Sequence, residues 1–198
     1  MIEKSKVNGF TLVELLIVIA VLVVTSTVLF QVFSNTLKGG GKAQYVSTLK
    51  QNSQSALDIM DKAVRSASSV VCSTVTPPVS LVIQNSDGTY TRLRFPVQIS
   101  GSNGYIEKEA LSYPVSTSAC QDGSVSPKII TDNDPKNGVS VTNGQFTVNS
   151  APGLGYAVTM QFMVNPPVSL SPVFSSQIGS VTMKTTVSLR GYTPFRSQ

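Results

Sequence analysis

The sequence predicts an α+β protein in which one long amino-terminal helix precedes a domain of mainly antiparallel β-structure. Three observations carry this reading. Residues 10–30 are apolar except for small hydroxyl residues and one carboxylate, Glu14. Residues 42–67 repeat apolar positions at spacings of three and four, the period of a helix with one buried face. From residue 68 onward, apolar and polar residues alternate between clusters of Gly, Pro, Asn and Asp, the pattern of strands and turns. A chain of 198 residues, 41% hydrophobic and 13% charged, fits one globular domain once the first apolar run is set aside.

As a helix rising ~1.5 Å per residue, that run is about 31 Å long, the thickness of a bilayer's hydrocarbon core. A charge inside such a segment costs roughly 2.5–3.5 kcal/mol, which makes Glu14 the first functional lead. A secretory signal has an apolar core of only about 7–15 residues followed by a small-residue cleavage site; here the run is longer and the carboxylate stands at its start. A plain single-span anchor fits the length but leaves Glu14 unexplained. The flank before it is short and polar, with Lys4 and Lys6 against Glu3. It is expected on the cytoplasmic side, although Lys38 and Lys42 beyond the run oppose that bias.

Gly39, Gly40 and Gly41 follow. Each helical glycine costs about 1 kcal/mol relative to Ala, so a hinge or local melt is expected there. In the next segment Val46, Leu49, Ala56, Leu57, Met60, Val64 and Ala67 form one stripe, with a gap at Ser53. Asp58 with Lys62, and Asp61 with Arg65, are supporting pairs four apart. A stripe one face wide packs on one layer, here a sheet.

Val70-Val71-Cys72 is a short apolar run ended by Pro77-Pro78. Residues 80–84 and 89–95 alternate around Asn85-Ser86-Asp87-Gly88, a hairpin with turn chemistry. In its second arm Tyr90, Arg92 and Arg94 alternate with Leu93 and Phe95, which predicts one wet face. Residues 105–111 suggest a short strand, 121–138 an irregular segment, and 139–141 with 144–148 one or two strands. Residues 155–164 alternate clearly, 169–177 read as a loop, and 178–189 as a last strand with Val181, Met183, Thr185, Val187 and Leu189 on one face.

The chain has no His, which removes the commonest general base and every His-dependent nucleophile set. Cys72 and Cys120 lack metal-ligand spacing; in an oxidising compartment they can pair, and in cytosol they stand as two thiols. Asp132-Asn133-Asp134 with Asn137-Gly138 resembles half of a calcium loop but lacks the later acidic ligands; as turn residues they need no metal. Glu107 and Glu109, two apart in a strand, read as a solvated face. The net charge of +5 comes from scattered residues. It permits nucleic-acid contact through Arg92, Arg94, Lys128, Arg190 and Arg196 but places them on no common face.

The stretch Gly9-Phe10-Thr11-Leu12-Val13-Glu14-Leu15-Leu16 resembles the amino-terminal motif of type IV pilins and type II secretion pseudopilins: Gly, an apolar residue that is usually Phe, Glu at the fifth mature position, then an apolar helix. The resemblance implies a mechanism. A prepilin peptidase would cut between Gly9 and Phe10 and N-methylate Phe10, and Glu14 would pair with the amino terminus of a neighbouring subunit. A buried carboxylate is costly until a cation meets it, so that pairing would set the register of stacked helices. The implied organisation is a cytoplasmic leader at 1–9, a membrane and assembly half-helix at 10–38, the glycine hinge at 39–41, and an extracytoplasmic domain at 42–198 with helix 42–68 and β-structure 69–198. The implied partners are the peptidase, other pilin or pseudopilin subunits, an inner-membrane assembly platform, and the bilayer before assembly. Many major pilins have a proline about two-thirds along the apolar helix; Gln31 stands there here. The ending Thr185-Thr186-Val187-Ser188-Leu189-Arg190, and the helix that carries Arg65 near its end, resemble J-type pseudopilins and PilW-like minor pilins. Export of this kind would put Cys72 and Cys120 outside the cytoplasm, and a bridge closing that loop would be worth roughly 4 kcal/mol. Two further readings stay open: a DNA-uptake or adhesive pilin, and an anchored β domain that never polymerises.

Overall fold

The computed structural model describes residues 11–151 and 155–189. A single helix, α1, spans Leu12–Arg65. It is followed by strands β1 (Ala67–Ser73), β2 (Val79–Asn85), β3 (Tyr90–Phe95) and β4 (Glu107–Leu111), a 3-10 turn (Thr117–Cys120), β5 (Lys128–Ile129), β6 (Ser140–Ala151), β7 (Gly155–Asn165), helix α2 (Pro172–Ile178) and β8 (Val181–Ser188). The chain divides into two units, Met1–Gln44 and Tyr45–Gln198.

In the first unit, α1 is apolar and exposed on all sides from Leu12 to Leu37. Its hydroxyl groups are returned to the helix: Thr25 Oγ1 donates to the Val21 carbonyl at 2.9 Å, Thr27 Oγ1 to Val24 at 2.7 Å and Thr36 Oγ1 to Val32 at 2.9 Å. Such bonds let a polar residue sit in an apolar segment without an unmet donor. The expected break at Gly39-Gly40-Gly41 is not a break in helical geometry: all three are helical, with open space where a Cβ would stand. Glycine weakens a helix without forbidding it, and good helix formers flank the three.

In the second unit, the remaining part of α1 lies on the core. Leu49, Ala56, Met60, Ala63 and Val64 are buried with Leu81 and Ile83 of β2, Leu93 and Phe95 of β3, Phe146 of β6, and Val158, Met160, Phe162 and Val164 of β7. The gap in the apolar stripe is filled by Ser53, fully buried, whose hydroxyl donates to the Leu49 carbonyl at 2.5 Å. With Ala56 and Ala63 it supplies the small side chains of the buried stripe. The pair Asp61–Arg65 forms at 2.6 Å. The helix ends three residues earlier than the expected 68. Ala67 keeps its place in the core but as the first residue of β1, because Ser66 turns the chain with its hydroxyl on the Ala63 carbonyl.

The β-structure forms two antiparallel sheets rather than one, in the orders β1-β2-β3-β4-β5 and β6-β7-β8. The β2–β3 hairpin turns where expected, with Gly88 at φ 83° and the Asp87 carboxylate accepting from the Thr89 amide at 2.9 Å. The segment read as one or two strands is one strand, β6, with a register shift between Thr142 and Gln145. There Asn143 takes φ 53° and Gly144 lies against the Phe95 ring, which a Cβ would meet at 2.2 Å. Phe95 in turn stacks on Phe146 with ring centroids 4.9 Å apart. The stretch 169–177, expected as loop, holds most of α2, which also takes Ile178, so the last strand begins at Val181 rather than at the expected 178. Proline at its start presets the helical φ, and Phe174 meets Tyr45 edge to face at 5.8 Å. A helix this short has no periodicity for a sequence pattern to detect.

Candidate functional site

Two features carry chemistry. The first is the start of α1. Thr11 caps the helix, its carbonyl and its Oγ1 both accepting from the Glu14 amide at 3.1 and 3.3 Å. Glu14 therefore stands in the first turn, where the amides left unpaired by the helix favour a negative charge. Beyond it runs an apolar surface long enough to cross a membrane. Gly9 and Phe10, the expected cleavage and methylation positions, lie outside the described residues.

The second is a buried polar cluster on the face of the first sheet turned away from α1. Register places Arg92 opposite Glu109 and Arg94 opposite Glu107 on β3 and β4. All four are buried: 2% exposed for Arg92, 4% for Glu109, 6% for Arg94 and 7% for Glu107. This corrects two expectations, the wet face of β3 and the solvated Glu107–Glu109 face. The alternating pattern is real, but the loop of residues 112–127 covers the polar side. Under it Val82, Ala119 and Cys120 make a small second core.

Arg92 forms an ion pair with Glu109 and donates to the carbonyls of Ala119 at 2.7 Å, Asp122 at 2.9 Å and Gly123 at 2.9 Å. Glu109 accepts from the amides of Val125 at 2.7 Å and Ser126 at 2.8 Å. Arg94 donates to Ser80 Oγ at 3.0 Å, to Ser124 Oγ at 2.9 Å and to the Asp122 carbonyl. Ser124 donates to Glu107 at 2.9 Å. Burial raises the pKa of the Glu109 carboxyl, but the Ser126 and Val125 amides and the Arg92 guanidinium outweigh it and hold that pKa below the usual carboxylate range. Burial, with Arg92 beside it, lowers the pKa of Arg94. Among the described residues no buried side-chain nitrogen or oxygen lacks a partner, which is the condition under which buried charges are tolerated. Cys72 of β1 and Cys120 of the covering loop are joined in a disulfide.

Arg92 and Arg94 are thereby removed from any surface that could meet nucleic acid. Lys128 remains exposed on β5, and Arg190 and Arg196 lie outside the described residues. In the loop resembling half of a calcium site, the Asp132 and Asp134 carboxylates accept main-chain amides instead. Asp132 takes Asp134 at 3.1 Å, and Asp134 takes Lys136 at 2.8 Å and Asn137 at 2.7 Å. Those amides, Asn137 first, hold the Asp134 carboxyl below its usual pKa. Among the described residues no three metal-ligating side chains converge.

The buried cluster was missed because alternation looks the same whether the polar side meets water or a loop. One signal could have found it: two arginines and two glutamates, spaced two apart on consecutive strands, between two cysteines.

An apolar, membrane-length helix with Glu14 in its first turn, followed by a two-sheet α+β domain, fits a membrane-anchored protein. The prokaryotic N-terminal methylation motif matches residues 4–30, so the chain carries the signature of type IV pilins and pseudopilins. No curated protein and no solved structure matches the chain.

Proposed function

We propose that this chain is a minor pilin or pseudopilin, a structural subunit and not an enzyme. The observation that carries the reading is the motif at residues 4–30 with Glu14 in the first turn of an exposed apolar helix. The subunit enters the inner membrane as a single span with its amino terminus in the cytoplasm. Prepilin peptidase cuts between Gly9 and Phe10, where a residue without Cβ lets the scissile backbone come close to the enzyme, and Phe10 is N-methylated. The assembly platform then moves the subunit into a filament of pilins. There Glu14 meets the amine of a neighbouring subunit, and the desolvation cost of each charge is offset by the other. Gly39-Gly40-Gly41 is the place where the helix can yield during that transfer. The long β domain and the likeness of its last strand to J-type and PilW-like subunits favour a place at the tip or in priming.

The test is the mass of the mature chain. A start at methylated Phe10 is expected; an intact Met1 overturns the processing. Glu14→Ala is expected to spare cleavage and to block incorporation into filaments. Normal assembly by that variant overturns the role given to Glu14.

A further inference from the structure

We propose that Arg92 and Glu109 form a latch that fixes the covering loop through its backbone, so that the loop's placement needs neither the Cys72–Cys120 disulfide nor its outward side chains. Residues 112–127 contain one short 3-10 turn and no strand, so most of their backbone polar groups must find partners elsewhere. The sheet supplies them. The guanidinium of Arg92, a rigid fork of donors, takes the carbonyls of Ala119, Asp122 and Gly123. One carboxylate oxygen of Glu109 faces Arg92, and the other takes the amides of Val125 and Ser126. The two charges hold each other in place, and the loop's backbone closes around them.

Each of those five loop contacts is to a main-chain atom: the three carbonyls come with every residue type, and the two amides with every type except proline. The side chains of Gln121, Asp122, Val125 and Ser126 are exposed, Val125 at 92%. Val115, Ala119, Cys120 and Ser124 are the inward ones. The disulfide tethers the loop at Cys120 alone, and a single tether leaves residues 122–126 free to swing. Arg92 and Glu109 hold their backbone at Asp122, Gly123, Val125 and Ser126, while Arg94 and Glu107 add bonds at Asp122 and at the inward Ser124. The outward sequence of the loop can therefore change while its shape stays, which is what a surface presented to partners needs.

The test is hydrogen exchange on the full chain in detergent, read over peptides covering residues 122–128 and normalised to β2 and β3. Cys72→Ser with Cys120→Ser, and separately Val125→Lys, are expected to keep protection within about threefold. Glu109→Ala is expected to lose it by at least about tenfold, the effect of removing a charged hydrogen-bond acceptor. If Glu109→Ala also loses protection in β2 and β3, Glu109→Gln is read in its place, with a loss of the same direction confined to the loop. A loss in the cysteine variant or in Val125→Lys as large as in the glutamate variant overturns the latch. So does unchanged exchange in the glutamate variant.

Discussion

Replacing Arg92 with Leu tests the reversal between an exposed and a buried β3 face. Were Arg92 on a wet face, the change would fall within about 0.5 kcal/mol, as surface substitutions do. In the structure Arg92 is 2% exposed and shared among Glu109 and three loop carbonyls. Leucine fills part of the volume but strands a buried carboxylate that retains only its two amides. Breaking a buried pair from one side costs about 3–5 kcal/mol. A domain of this size shifts its midpoint by roughly 2–4 °C per kcal/mol, which places the expected fall in melting temperature at about 6–20 °C. The assay is thermal unfolding of the full chain in detergent, followed by near-ultraviolet circular dichroism. Replacing Glu109 with Leu in the same molecule should recover part of the loss, since removing both charges is less harmful than removing one. A melting temperature for Arg92→Leu within about 2 °C of the parent, a shift of 1 kcal/mol or less, would refute the buried pair.

Other outcomes follow from the same geometry. Gly144→Ala drives a methyl group into the Phe95 ring at 2.2 Å and should cost about 1–3 kcal/mol as overpacking; it is measured by chemical unfolding, and Phe95→Leu in the same chain should relieve it. Because the native Glu109 pKa lies below its ordinary value, the unfolded chain binds its proton first as pH falls. Its contribution is therefore complete above the unfolded value near about 4.3 and is lost as pH drops through the lower native value. Melting temperature should fall less steeply below pH ~4 in Glu109→Gln than in the parent; equal slopes would contradict the assignment.

Much of the fold is legible because its periods are local. The stripe on the second part of α1, the hairpin at Asn85 to Gly88, and the alternation of β7 and β8 each report a face to be buried, and each is found where the pattern puts it. The motif around Glu14 is legible for a different reason, since a carboxylate at the start of a membrane-length apolar run has few structural uses. What escapes the pattern is whatever depends on segments distant in sequence. Helix α2 is too short for a period and is secured by Phe174 on Tyr45. Arg92 lies 27 residues from Ala119 and 31 from Gly123, and no local rule predicts that an irregular loop returns to cover it.

The sequence by itself determined the apolar helix, the placement of Glu14 at its start, and the alternation of the strands, because these follow from spacing along one stretch of chain. Only the tertiary structure decided that there are two sheets, that the glycines at 39–41 remain helical, and that four charges read as a solvated face are buried. The physical reason is that alternation fixes which side of a strand is polar but not what lies against that side. Here it is the backbone of residues 119–126, whose carbonyls and amides take the place of water.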